Sequence, residues 1–286
     1  ESKRQALLVS IHPEDYRVEL LDQKKYRKLE NQFPNKNIFS ELIGAKIEAI
    51  EQVDFDRIMK FPCVKSGTKV SEYELYLELT GRNSNLILVN RSDSKIIDVL
   101  KKVEPKESSK RTLQKDYTYT LPPPPPQKNP FSISSSDFKQ ILLSNSNQNL
   151  TELLTKTFLG MDKLLAKDIL FLSGLKEFAA EKLSDSQLES LWNNFKNIFT
   201  KIKECKFHPI VIIDEEQQKL GVSVLDLKSI PTANKIKSDS VADAISDYFQ
   251  IRFTQAEKEN LKKQILQIIN SQLKKLEARR INLQAE

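Results

Sequence analysis

A chain of 286 residues with 39% hydrophobic content is long enough for one large domain or two smaller ones. Its 45 basic residues against 39 acidic ones leave a net charge of +6, which suits contact with a polyanion without demanding it. Cys63 and Cys205 stand far apart with no histidine at ligand spacing, which argues against a disulfide framework or zinc site and for a reducing interior. No apolar run reaches the ~18 residues of a membrane span, and the sequence carries no metal cluster, P-loop or nucleophile elbow. An opening at Glu1-Ser2, with neither Met nor a signal peptide, points to a true start further upstream.

In chain order, Ala6 to Ser10 is an apolar run ending at His12-Pro13, and the alternating Tyr16 to Leu20 reads as the returning strand. A lone histidine such as His12 reads as structural rather than as a base. Phe39 to Ile50 comes next, then Glu51 to Lys60, which carries Asp56 and Arg57. On a strand these neighbours point to opposite faces, so they do not pair simply with each other; the plain reading is two solvated charges. Tyr73, Leu75, Leu77 and Leu79 alternate with Glu72, Glu74, Tyr76 and Glu78, the period of a strand with one buried face. Leu86 to Val89 is a second apolar run. Between them Gly81, Arg82, Asn83, Ser84 and Asn85 form a turn in which Gly81 supplies positive φ. Ile96 to Leu100 is a short strand, and the charged stretch Lys101 to Lys115 holds Arg111. The five prolines Pro122 to Pro126 predict a stiff polyproline spacer rather than an SH3-type ligand, with Ser132 and Ser134 to Ser136 marking a boundary.

From Asp137 to Glu204 the apolar period becomes helical. Leu150, Leu153, Leu154 and Phe158 form one face. Gly160 breaks the chain before Met161 to Leu170, and Gly174 closes that helix. Ser184 and Gln187 make a capping box for a helix whose stripe of Leu188, Leu191, Trp192, Phe195, Ile198, Phe199 and Ile202 reads as core. Phe207 to Ile213 and Gly221 to Leu227 predict two strands around the charged turn Asp214 to Lys219. Ser238 to Phe249 predicts a helix with Val241, Ile245, Tyr248 and Phe249 inward. Thr254 to Glu286 is helical and charged. Leu266, Ile269, Leu273 and Leu276 keep coiled-coil spacing there, with Arg280 falling in the seam.

Several of these stretches resemble the fibronectin-binding protein A-like family, whose N-terminal module is called NFACT-N and which includes ribosome-associated quality control factors. The strongest likeness is Leu75 to Asn90, with the run Gly81-Arg-Asn-Ser-Asn85, against the family signature I-E-L-M-G-R-H-S-N-I-I-L-V-D. Leu7 to Pro13 with Arg17 is similar to the family's L-L-L-S-x-H-P-x-x-x-R. Gly44 to Ile47, Ile50, Gln52, Asp56 and Arg57 are similar to its G-A-x-I and I-x-Q-x-x-x-D-R elements, although Phe39 and Ser40 stand where the family has a basic pair. Arg111 matches its arginine before a proline segment, and Phe158 to Ile169 resembles its helix–hairpin–helix element. The resemblance implies an α+β fold like that of Fpg/Nei-type DNA glycosylases. It implies a β-rich module over 1–120, a Pro/Ser-rich linker over 121–136 and a helix–hairpin–helix-like domain over 137–204. A returning hairpin and helix over 205–252 and the base of a coiled-coil arm over 253–286 would follow. It further implies residues before Glu1, and a longer arm and a C-terminal module after Glu286.

In function, the resemblance implies a cytoplasmic, non-enzymatic factor without cofactor or metal. Such a factor binds a large ribosomal subunit obstructed by peptidyl-tRNA and recruits aminoacyl-tRNA, usually alanyl, for untemplated tailing. The family's tRNA-recognition pair falls on Asp56 and Arg57. The other RNA-contact candidates are Arg17, Arg82, Asn83, Ser84 and Asn85, together with Lys163 and Lys167 near a helix N-terminus that holds phosphate unless Asp162 caps it. Arg82 is the guanidinium expected to face Asp56. Without a clustered aromatic stacking platform, binding should rest on backbone phosphates and weaken steeply between ~50 and ~200 mM salt. Two rival classes remain. A fibronectin-binding adhesin would need an export signal. A DNA glycosylase homologue would need a Pro-Glu start and clustered cysteines, which are not present.

Overall fold

The computed structural model describes residues 5–13, 15–21, 26–27, 39–68, 70–105, 111–145, 147–176, 183–214 and 219–285, giving backbone alone for 219–220, 251–260 and 277–285. The chain forms two compact units, Glu1–Lys206 and Phe207–Glu286.

In the first unit, β1 (Ala6–Ser10) and β2 (Arg17–Leu21) pair antiparallel from Ala6↔Leu21 to Ser10↔Arg17, the expected strand and return. A larger antiparallel sheet follows. It is built from β3 (Lys46–Ile47), β4 (Glu51–Gln52), β5 (Ile58–Lys65), β6 (Ser71–Glu78), β7 (Asn85–Asn90) and β8 (Ile96–Val99) in the order β3-β5-β6-β7-β8, with β4 also beside β5. The hairpin at Gly81 has the register Leu77↔Leu86 and Glu78↔Asn85.

Two sequence expectations change here. The alternation in β6 predicts one buried face, yet both faces are covered. Leu77 packs with Phe61 and Cys63 under Val9 and Val18, while Tyr76 packs on the opposite side with Ile87, Ile96, Leu113 and Tyr119. Burial there lifts the phenols of Tyr76 and Tyr119 above their ordinary range, with Glu74 and Glu78 respectively adding to it. Second, Asp56 and Arg57 are not on a strand. They lie in the tight turn between β4 and β5, where Asp54 and Phe55 have φ of 48° and 61°. Two left-handed residues in succession reverse the chain within four positions.

The helical part holds α1 (Ser135–Ser144), α2 (Leu150–Thr157), α3 (Lys163–Leu172) and α4 (Asp185–Lys203). Each has a side-chain N-cap, from Ser134, Asn149, Asp162 and Ser184, the last with Gln187 completing the capping box. Phe138, Phe158 and Phe195 interlock with ring centres 4.7 to 5.6 Å apart, which fixes how α1, α4 and the α2–α3 turn pack. The chain after the prolines is tied to that turn. Lys128 N–H donates to Thr157 O (2.7 Å) and Lys128 O accepts from Leu159 N–H (3.0 Å).

In the second unit, β9 (Ile210–Ile213) lies between β10 (Lys219–Ser223) and β11 (Lys235–Lys237), so the expected pair of strands is a three-stranded sheet and its second strand ends earlier. Residues 215–218 of the charged turn lie outside the described residues. The two expected helices are one, α5 (Val241–Ala285), whose side at the sheet buries Ala244 and Ser246 more deeply than Ile245, Tyr248 and Phe249. Leu266, Ile269, Leu273 and Leu276 are exposed along it; the side chain of Arg280 lies outside the described residues.

Candidate nucleic-acid interface

The β5–β6 pairing brings the two motifs of the sequence to one end of the sheet. Arg57 directly precedes Ile58, Ile58 pairs with Glu78, and Leu79 N–H donates to Arg57 O (2.8 Å), two residues before Gly81. Asp56 accepts from Arg57 N–H at Oδ1 (2.7 Å), and Gln52 Nε2 donates to Asp56 O (2.8 Å), so the turn is braced from within. Arg57 is exposed, and its Nη1 meets the hydroxyl of Tyr16 at 3.0 Å with the guanidinium 5.8 Å from the ring centre. The edge of the same ring is 4.0 Å from where a side chain would begin at Gly81, whose φ is 70°. Tyr16 thus spans the two motifs. Arg82 forms no ion pair with Asp56 among the described residues; the partner on the Asp56–Arg57 turn is Tyr16.

The remaining candidates divide by burial. Arg82 and Asn83 are exposed in a one-turn 3₁₀ helix at Gly81–Asn83. Ser84 and Asn85 are buried and so face the interior, not a ligand. Asn85 Oδ1 accepts from Leu86 and Lys101 N–H, and its Nδ2 donates to Lys101 O, clamping β7 to the strand exit. Arg17 is also drawn inward, with Nε on Glu19 (3.3 Å) and Nη1 on Asp15 O (3.3 Å). Behind the turn, Arg111 forks onto buried Glu78 (Nη1 3.0 Å, Nη2 2.8 Å), and Tyr119 donates to Glu78 Oε1 (2.9 Å). Burial opposes the charge on Arg111, but the Glu78 carboxylate holds its pKa above the ordinary value. His12 is exposed, with Nδ1 3.6 Å from Asp15 Oδ2.

A cleft of about 380 Å3 opens between this turn and the α2–α3 turn, with Gln52, Asp56 and Arg57 on one wall and Thr155, Leu159 and Asp162 on the other. Phe55 sets its width. Its ring stacks edge-on to Phe131 (4.6 Å) and lies so close to Gly160 that a Cβ there would meet Cε1 at 2.7 Å. Asp162 Oδ1 accepts from Leu165 N–H (2.7 Å), so the N-terminus of α3 is capped by the protein itself, with Lys163 and Lys167 exposed beside it. That weakens the phosphate reading of this helix end. Among the described residues, no group gathers enough acidic, histidine or cysteine side chains to hold a metal, and no helix is long and apolar enough to cross a membrane.

Sequence reading missed Tyr16 and Phe55. The signal for Phe55 was an aromatic between two aspartates, out of period with any strand face. Tyr16 gave no comparable signal, since its role depends on a contact 41 residues away.

The whole chain, residues 1–286, matches the family described as NFACT N-terminal and middle domains. It is 29% identical over 268 residues to the Rqc2 homolog RqcH of Bacillus subtilis, covering 92% of this chain and 44% of that protein. It is 30% identical over 254 residues to the Rqc2 homolog RqcH of Streptococcus pneumoniae, covering 86% and 43%. The chain therefore spans less than half the length of these relatives. Among solved structures, it resembles the N-terminal part of the fibronectin/fibrinogen-binding protein from Streptococcus suis (TM-score 0.65, 25% identity, 86% of this chain and 83% of that one). It also shares its fold with the fibrinogen binding protein from Staphylococcus aureus (TM-score 0.63, 23% identity, 86% and 82%). With its α+β fold and a match running from the first residue to the last, the chain belongs to the NFACT family, matching its N-terminal and middle domains.

Proposed function

We propose that this chain is the RNA-binding part of a ribosome-associated quality control factor. It would bind an obstructed large ribosomal subunit holding peptidyl-tRNA and present aminoacyl-tRNA, alanyl-tRNA first among them, for untemplated tailing. The observation that carries the reading is the Asp56–Arg57 turn: an exposed guanidinium held by Tyr16 at the mouth of a cleft, with exposed Arg82 one residue after Gly81, which the same tyrosine ring approaches. A planar guanidinium fits a phosphate or a guanine edge, which lysine does not copy. The names of the relatives support the ribosomal setting. Peptide-bond chemistry would belong to the ribosome, so the chain acts as a cytoplasmic adaptor rather than an enzyme, and α5 with its exposed apolar positions as the base of a coiled-coil arm.

The test replaces Asp56 and Arg57 together by Ala in the full-length protein and follows co-purification of tRNA and large subunits. The double variant loses tRNA and keeps the subunit, with stability changed by about 0.5 kcal/mol or less. Equal loss of both, or a melting point several degrees lower, would make the pair structural. Because one structural relative is named for fibronectin, a fibronectin-binding arm belongs in the same experiment; tRNA-independent binding to fibronectin would favour an adhesin.

A further inference from the structure

On the other side of the Phe55–Phe131 ring contact from the Asp56–Arg57 cleft, α4 and residues 130–133 enclose a second groove of about 230 Å3. Its floor is aromatic: Phe131 (37% exposed), half-buried Trp192 and the edge of Phe199, with Phe131 and Phe199 perpendicular at 5.7 Å. Its rim is basic. Lys196 and Lys203 are exposed, and neither has a carboxylate within ion-pair distance among the described residues. Lys196 Nζ stands 5.8 Å from the Trp192 ring centre. The indole N–H of Trp192 has no hydrogen-bond partner within the described residues either. The charged and aromatic groups here thus offer donors and π-faces and no carboxylate. Exposed lysines are ordinary on the solvent face of a helix; what packing alone does not call for is Phe131 and Trp192 left open beside two of them.

We propose that this groove is a second RNA site, which takes one unpaired nucleotide, its base against the aromatic floor and its phosphate at Lys196 and Lys203. The inference rests on the RNA-binding reading above and adds a place to it. Every base has a π-face, so such a site is tolerant of sequence, and the two lysines make it sensitive to salt. The groove is smaller than a drug-sized pocket, which suits a single nucleotide better than a folded partner.

Trp192 is the only tryptophan in the chain, so its fluorescence reports this groove directly. The whole chain is titrated with a short single-stranded oligouridylate. Saturable quenching is expected, weakened between ~50 and ~200 mM salt. Phe131→Ala should weaken binding about tenfold, and Lys196→Gln with Lys203→Gln, both exposed, should lower the salt slope by about 1 to 2. Absence of quenching, quenching unchanged by the lysine pair, or equal quenching by oligoglutamate would overturn the site, the last assigning the groove to an acidic peptide. tRNA binding by wild type and by Arg57→Ala is measured alongside. Arg57-dependent tRNA binding without quenching sinks the groove and keeps the function; quenching with Arg57-independent tRNA binding does the reverse.

Discussion

Replacing Glu78 by Gln tests the foundation on which both motifs stand. Glu78 is 1% exposed and carries two hydrogen bonds from Arg111 and one from Tyr119. Glutamine keeps the shape but removes the charge and turns one acceptor into a donor facing Arg111. The Arg111 side chain is itself only 13% exposed, and its Nε is already without a partner, so it has little water to fall back on. Leaving one member of a buried ion pair uncompensated costs about 3–5 kcal/mol. Replacing all three groups by apolar ones, Glu78→Leu with Arg111→Met and Tyr119→Phe, removes the unpaired charge and hydroxyl together. It should recover most of that loss, because such pairs are near neutral against well-packed hydrophobic residues. Urea unfolding followed by Trp192 fluorescence reads the first unit, where both the pair and the tryptophan lie. Glu78→Gln should move the midpoint at unchanged slope. A cost below about 1 kcal/mol would refute the reasoning, as would a triple variant no better than the single one, because the cluster would then behave as a solvated surface pair.

Gly160→Ala should destabilise by about 2–4 kcal/mol, combining a left-handed φ of 69° with overpacking against Phe55 at 2.7 Å. Gly174→Ala, with φ of 68° and open space around it, carries the conformational part alone, and equal losses in the two variants would dismiss the Phe55 contact. In the second unit, hydrogen bonds from Lys228 and Lys235 hold the Asp226 carboxyl down at about 2. A depressed carboxyl stabilises the fold above its ordinary value of 3.8 and loses that contribution as pH falls towards 2. The melting-point gap between wild type and Asp226→Asn should therefore close from pH 5 to pH 2, and a constant gap would refute the pairing. Tyr16→Phe removes the hydroxyl that meets Arg57. It should weaken tRNA binding about threefold to tenfold without lowering the melting point. It should have no effect in an Arg57→Ala background, and an additive loss there would show that Tyr16 does not act through Arg57.

By itself the sequence determined the elements whose signal is local. The strand pair around His12-Pro13, the hairpin about Gly81, the capping box at Ser184 and the apolar stripe of α4 all follow from periodicity and capping within a few residues. The Gly81 to Asn85 and Asp56-Arg57 motifs were legible as a family likeness, though not as geometry. Tertiary structure decided which of these polar residues face out. Ser84, Asn85 and Arg17 read as polar in the sequence but are claimed by the interior, while Arg57 and Arg82 remain exposed. It also decided that β6 is covered on both faces, that Asp56 and Arg57 ride a turn instead of a strand, and that Tyr16 joins two motifs far apart in the chain. The physical reason is that periodicity records whether a residue favours burial, whereas the partner that makes a buried charge or amide tolerable comes from elsewhere in the chain. Glu78 is tolerated inside because Arg111, 33 positions later, reaches it, and nothing near Glu78 in sequence says so.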